Sequence, residues 1–353
     1  MAAVTLVGAG RIGLPVAERL VAAGHWVEVV DVRDDLQADV EAAGARWRGS
    51  SLAQLPVDRV LVTVLPGSPE LRELMLGPSD GSAPAALTHV ARGGSWVDMT
   101  SAAPDLAADL VAASAARGVR YIDAAVGGGP EDARRGGLTL HVGGDGSDVQ
   151  RLRPLLEAFA DPARIHHMGR RGSGYLTKLL INQLWFGQAV SVTEAMLLGA
   201  HAGLAADRLA GVIDSSPAAS AFVHTHLPSV LAGDYLPAFP LARVVEELDS
   251  LARLAGSAGT PWSLSKRVAE LHRHAWAHFG DVDGELLGAA WLEHLAGHTL
   301  AELTARASAS SGPDAHEPDD GPALAAGSAG TSEGEAPLLA SDGPRAEQPR
   351  HRL

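Results

Sequence analysis

Six residues near the start constrain the fold more than any others: Gly8-Ala9-Gly10-Arg11-Ile12-Gly13. They follow an apolar, β-branched run at 4–7 and open an amphipathic stretch that continues to about residue 23. In a strand–turn–helix unit, glycines at this spacing have separate tasks. The first permits the tight turn, the second lets a pyrophosphate approach the backbone, and the third lets helix and strand pack closely. Arg11 and Ile12 complete the turn, and the free N–H groups and positive dipole of the helix start favour phosphate. Asp31 lies eighteen residues past Gly13, at the end of the next β-branched run. A carboxylate there accepts hydrogen bonds from an adenosine ribose and repels a 2′-phosphate, so NAD is the expected cofactor. Arg33 could still pair with that phosphate, which keeps NADP as the second option.

Strand-like runs at 4–7, 27–30, 60–65, 96–98, 120–122 and 139–142 alternate with Ala/Leu-rich amphipathic stretches as far as about residue 167. This alternation predicts an α/β, doubly wound Rossmann domain over 1–167, with a parallel sheet and helices on both faces. From about Gly174 to Ala202 nearly every residue is apolar or small. A helix of that composition, roughly 40 Å long, is expected to be buried between domains or subunits. Helical periodicity without strand pattern continues beyond it, so 168–305 reads as an all-α domain for substrate binding and dimerisation. From Arg306 onward, Gly, Pro, Ser, Ala and acidic residues dominate without any aromatic, which predicts a disordered tail over 306–353.

Composition narrows the function. The net charge of −14 argues against nucleic acid and anionic membranes as partners. Cysteine is absent, which removes disulfides, thiolate metal sites and a cysteine nucleophile, and suits a cytoplasmic location. No signal peptide or transmembrane stretch is evident. The histidine pairs His274/His278 and His294/His298 have chelating spacing, but they read as surface residues of amphipathic helices, and no metal is expected. Only two lysines, Lys178 and Lys266, stand against 26 arginines.

Lys178 and Asn182, spaced i, i+4, share one side of the long helix, with Gly174 one turn earlier, where it leaves room for a ligand. A lysine on an apolar helix is costly unless it is paired or used, although one near the helix start can also reach water. The loop Gly127-Gly128-Gly129 offers backbone N–H groups to a carboxylate. Thr100 and Ser101 follow a strand end, where they either reach a nicotinamide or cap the next helix.

In series, these motifs resemble the β-hydroxyacid dehydrogenase family over about residues 4–295. The resemblance rests on the glycine turn, on Thr63-Val64-Leu65-Pro66, and on Asp98-Met99-Thr100-Ser101 with Pro104. It also rests on Asp123 to Pro130, on Gly137 to Gly144, and on Gly172-Ser173-Gly174-Tyr175-Leu176-Thr177-Lys178 with Asn182. It implies a reductase or dehydrogenase moving hydride between nicotinamide and a β-hydroxy acid or its semialdehyde. Lys178 would be the general acid/base and Asn182 the orienting residue. Leu65, Pro66, Thr100 and Ser101 would lie along the cofactor, and Gly127–Gly129, Gly174, Phe239 and Glu247 along the substrate. The family usually has serine at Gly127, and a lysine and an aspartate where this chain has Glu246-Glu247. The lost positive charge suggests a larger or less anionic substrate. An imine reductase on the same fold, which usually carries Asp or Tyr at the Lys178 position, and a dinucleotide-binding sensor without turnover are the two rivals. A homodimer through the helical domain is expected.

Overall fold

The computed structural model describes residues 1–310, with side chains to 305. The first part of the chain runs β1 (Ala3–Val7), α1 (Gly13–Ala22), β2 (Trp26–Val30), α2 (Gln37–Ala42), β3 (Arg46–Trp47), β4 (Arg59–Thr63) and α3 (Ser68–Leu76). It continues through β5 (Ser95–Asp98), α4 (Pro104–Arg117), β6 (Arg120–Gly127), α5 (Pro130–Arg134), β7 (Leu138–Gly143), α6 (Gly146–Leu156) and β8 (Ala160–Gly169). Helices alone follow: α7 (Ser173–His201), α8 (Ala206–Asp214), α9 (Ala221–Thr225), α10 (Leu227–Leu231), α11 (Leu241–Ala258), α12 (Ser263–Phe279), α13 (Leu287–Ala296) and α14 (Leu300–Ser310).

The eight strands lie in the order β3-β2-β1-β4-β5-β6-β7-β8. β1 sits between β2 and β4, so the chain leaves it in opposite directions on its two sides. The crevice beyond the carboxyl ends of β1 and β4 is where such sheets bind ligands. Alternate residues point to opposite faces. Leu6 and Val62 pack against Val16 and Leu20 of α1 on one face. Val7 and Leu61 pack with Leu71 and Met75 of α3 and Leu106 and Leu110 of α4 on the other. The α/β sheet domain followed by a helical domain is the architecture expected.

Four details differ from the sequence reading. β7 runs antiparallel to β6, so the sheet is mixed rather than parallel. The link between them is only about ten residues, too short for a parallel crossover, which takes a dozen or more. β8 is a strand beyond the runs read in the sequence: it carries His166 and His167 and lies parallel to β7, with His141 opposite His166. The chain's own domains do not bury the long helix on every side. Phe186, Val190 and Met196 are buried, but Leu180, Ile181, Leu184 and Leu198 are exposed along its length. The first residues of the tail expected over 306–353 are helical, since α14 continues to Ser310. Ala and Arg are strong helix formers and extend the helix. Residues 311–353 lie outside the described residues.

The start of α7 is tied to the sheet by two buried carboxylates. Asp123 of β6 accepts from the backbone N–H groups of Gly172 at 2.6 Å, Gly174 at 2.8 Å and Tyr175 at 3.2 Å. Hydrogen bonds to a charged acceptor contribute about 1.5–3 kcal/mol each. Asp98 at the end of β5 accepts from the hydroxyls of Thr63, Thr100 and Tyr175. The Tyr175 hydroxyl also meets that of Tyr121, whose ring stacks on Trp96 at 4.1 Å.

Burial outweighs these hydrogen bonds at Asp98 and raises its pKa from 3.8 to about 6. Between about pH 4 and pH 6 the folded chain keeps a proton that the unfolded chain has released. The contribution of Asp98 to stability therefore falls as pH rises through that window and is flat above it. Urea denaturation of wild type and Asp98→Asn from pH 4 to 7 checks this. The stability difference between them should slope across the window and level off beyond it; a pH-independent difference contradicts it.

Candidate active site

The glycine turn has the division of labour its spacing implies. Gly8 has φ +96°, and a side chain there would lie 2.2 Å from the Val64 carbonyl oxygen. One at Gly13 would lie 1.8 Å from the Gly8 oxygen, whereas at Gly10 nothing stands within 4 Å. The open face at Gly10 is where a pyrophosphate fits. Asp31 accepts from Ala9 N at 2.7 Å through Oδ2 and from Arg33 N at 2.9 Å through Oδ1. Each oxygen keeps acceptor capacity for a ribose hydroxyl. The residues present therefore fit a dinucleotide. Arg33 itself is exposed, Ile12 packs against the sheet core, and Arg11 reaches out of the turn to donate to the Ala238 carbonyl at 3.3 Å.

The ends of β4 and β5 meet beside this turn. Thr100 is buried, and its hydroxyl donates to Asp98 at 2.8 Å and accepts from Leu65 N at 3.2 Å. This hydroxyl does not stand free in the crevice; it fixes the loop that carries Leu65 and Pro66. Nor does Thr100 or Ser101 cap α4, since Ala103 N donates to Ser68 at 2.8 Å instead. Ser101 lines a small cavity with Pro66, Leu179, Phe239, Arg243 and Glu247, where the sheet domain meets the helices.

Gly174 also has a different role from the expected one. A side chain there would lie 2.2 Å from the His141 carbonyl oxygen and 2.7 Å from Asp123 Oδ2. Its missing side chain lets α7 touch β7 and leaves no room for a ligand. In the glycine loop, Gly129 N is taken by Asp132 at 2.8 Å, which withdraws one of the three expected N–H donors. Gly128 N has no partner among the described residues.

One turn past the anchored start of α7 stands Lys178, half-buried and without an ion pair among the described residues. Its charge acts on His141, Glu247 and Glu285. Asn182 donates to Glu247 at 2.7 Å. Burial raises Glu247 to about 7, against the Asn182 hydrogen bond and the Lys178 charge, which both lower it. Burial likewise raises Glu285, opposed by Lys178 and Arg11. His141 is pushed down to about 4, first by burial and then by Lys178 and His166.

α11 supplies Arg243, Glu246, Glu247 and Ser250 to the same cavity. The acid at Glu246 does not simply reverse a charge. It accepts from Arg243 at 2.7 Å, and Arg243 also pairs with Glu70 of α3 at 2.5 Å. A cation is thus retained one turn earlier, held between two carboxylates. Asp98, Asp123, His141, Arg243 and Glu285 escaped the sequence reading as individual site residues. The two aspartates and His141 lay inside motifs already noted, but nothing local says which strand residues face α7.

Comparison with known proteins places these residues in context. Residues 3–169 match the family model described as the NAD binding domain of 6-phosphogluconate dehydrogenase. Residues 172–287 match the model described as NAD-binding of NADP-dependent 3-hydroxyisobutyrate dehydrogenase. An NAD-dependent L-serine dehydrogenase from Pseudomonas aeruginosa is 34% identical over 216 residues, 61% of this chain and 70% of that one. A 3-hydroxyisobutyrate dehydrogenase from the same organism is 29% identical over 293 residues, 80% and 96% of the two chains. The structure of Mycobacterium tuberculosis 3-hydroxyisobutyrate dehydrogenase with L-serine aligns with a TM-score of 0.71 at 25% identity, covering 84% of this chain and 99% of that one.

The pKa of Glu247 is directly measurable. In ¹³C spectra of protein labelled at glutamate carboxyls, one resonance should titrate near pH 7 and be missing from Glu247→Gln. Glutamates that all titrate in the ordinary range, about 4.3, would contradict the burial of this group beside Asn182.

Proposed function

The chain belongs to the β-hydroxyacid dehydrogenase family, and from that premise we propose that Lys178 is the acid/base that moves the proton in its reaction. The protein is an NAD(P)-dependent oxidoreductase of hydroxy acids. Bound dinucleotide supplies the hydride acceptor in oxidation and the donor in reduction. Lys178 takes the hydroxyl proton in oxidation and returns it to the carbonyl oxygen in reduction. General acid–base help of this kind accelerates a reaction by about 10²–10⁴-fold. Asn182, held by Glu247, orients the oxygen or the amine. Gly128 N–H, together with Gly127, receives the carboxylate.

The observation that carries this reading is the setting of Lys178: one turn past a helix start fixed by Asp123, half-buried, and flanked by Asn182, Glu247 and Glu285. Small 3-hydroxy acids, the class named for the similar L-serine and 3-hydroxyisobutyrate enzymes, are the proposed substrates. The balance of charge supports a singly charged substrate, because Arg243 is already neutralised by Glu70 and Glu246. Lys178→Ala should lower kcat by at least about 10² while leaving dinucleotide affinity nearly unchanged. Unchanged kcat, or turnover by wild type of cyclic imines alone, would overturn the assignment.

We further propose that a second copy of the chain covers the exposed apolar stripe of α7, Leu180, Ile181, Leu184 and Leu198. Apolar side chains aligned on one helix in this way mark an interaction surface. Sedimentation should give twice the 36.4 kDa chain mass, and Leu184→Glu should shift it toward the single-chain value. A wild-type protein that sediments as a single chain would dismiss the dimer.

A further inference from the structure

β7 places Thr139 and His141 on the sheet face that α7 covers. Gly127 of β6 opposes Thr139 and Ala125 opposes His141, so Gly127 and His141 are diagonal neighbours on that face. A side-chain carbon built on Gly127 would lie 3.4 Å from Thr139 Cβ and 3.7 Å from His141 Nε2. These are ordinary contact distances, and Gly127 does not have a positive φ. The backbone therefore permits a side chain here, and its absence leaves a space walled by the edge of the His141 ring.

His141 is only 8% exposed, yet its ring makes no hydrogen bond among the described residues. Its one aromatic neighbour there is His166, with ring centroids 6.0 Å apart. Burial and the adjacent Lys178 keep the imidazole uncharged at neutral pH. A neutral imidazole offers one N–H donor and one acceptor. Neither nitrogen is bonded within the described residues and neither is sealed from solvent, so both can meet a ligand that enters this space.

We propose that His141 is a substrate-positioning residue whose Nε2, together with Gly128 N–H, holds the carboxylate of the hydroxy acid in the space left open at Gly127. This assignment rests on the proposed function and makes it more specific. A single neutral donor beside one backbone N–H matches a monocarboxylate. The pair itself adds no positive charge for a second carboxylate or a phosphate.

Steady-state kinetics of wild type, His141→Leu and His141→Gln with 3-hydroxyisobutyrate and L-serine test it. His141→Leu should raise KM for the hydroxy acid at least about tenfold, with a smaller change in kcat and no change in dinucleotide affinity. His141→Gln, which keeps a donor, should recover most of the loss. KM within twofold of wild type in His141→Leu would overturn the role, as would a Gln variant no better than Leu. Should the Leu variant not fold, ¹⁵N-histidine spectra of wild type with NADH, before and after adding the hydroxy acid, decide the matter. The resonance missing from His141→Gln should shift on addition, and a resonance unmoved at saturation overturns the role. If wild type oxidises no hydroxy acid with NAD or NADP, the proposed function fails as a whole; if it does and His141→Leu behaves as wild type, only the role of His141 fails.

Discussion

One of two buried carboxylates, Asp123, binds the backbone of the first turn of α7 to the sheet. The first N–H groups of any helix lack partners within it, and Asp123 accepts from those of Gly172, Gly174 and Tyr175. That bond brings the helix so close to β7 that residue 174 has no space for a side chain. Tyr175 then reaches Asp98 at the end of β5, so a second strand fixes the rotation of the helix. With position and rotation both set, Lys178 and Asn182 are delivered to the crevice at the carboxyl ends of the strands. Everything proposed for the chemistry depends on this anchorage.

The crevice is also organised by charge. Lys178 stands among Glu247, Glu285 and a neutral His141, while Arg243 stands between Glu70 and Glu246. Each cation has acidic neighbours, and burial keeps Glu247 near its point of ionisation at neutral pH. The pair Arg243–Glu70 joins α11 to α3, so the same charges that shape the cavity also connect the helices to the sheet domain. Replacing one acid here alters both the field at Lys178 and the fit of the two parts.

The features legible in the sequence are those encoded locally. The three glycines, Asp31 and the Lys178/Asn182 spacing each depend on residues within a few turns, and they occupy the places their patterns imply. The direction of β7 was not legible because Thr139–Val142 alternates in the same way whichever way the strand runs. What decides it is the short link after Gly127, a length that had to be weighed against strand pairing. The exposed stripe of α7 was hidden for a related reason: a helix apolar all round shows no face, so the sequence says nothing about which side the chain itself covers. Thr100 and Gly174 fitted ligand roles by position, but their partners, Asp98 with Leu65 and His141 with Asp123, come from distant strands. The reach of His141 toward Gly127 depends on the β6–β7 register, which no local pattern expresses.

The most direct measurement is a crystal structure of the protein with dinucleotide and a 3-hydroxy acid bound. The account predicts Lys178 Nζ within hydrogen-bond distance of the substrate hydroxyl, about 2.6–3.2 Å, with Asn182 on the same side and still bonded to Glu247. An amine turned to bulk water, with the hydroxyl held by other groups, would contradict it.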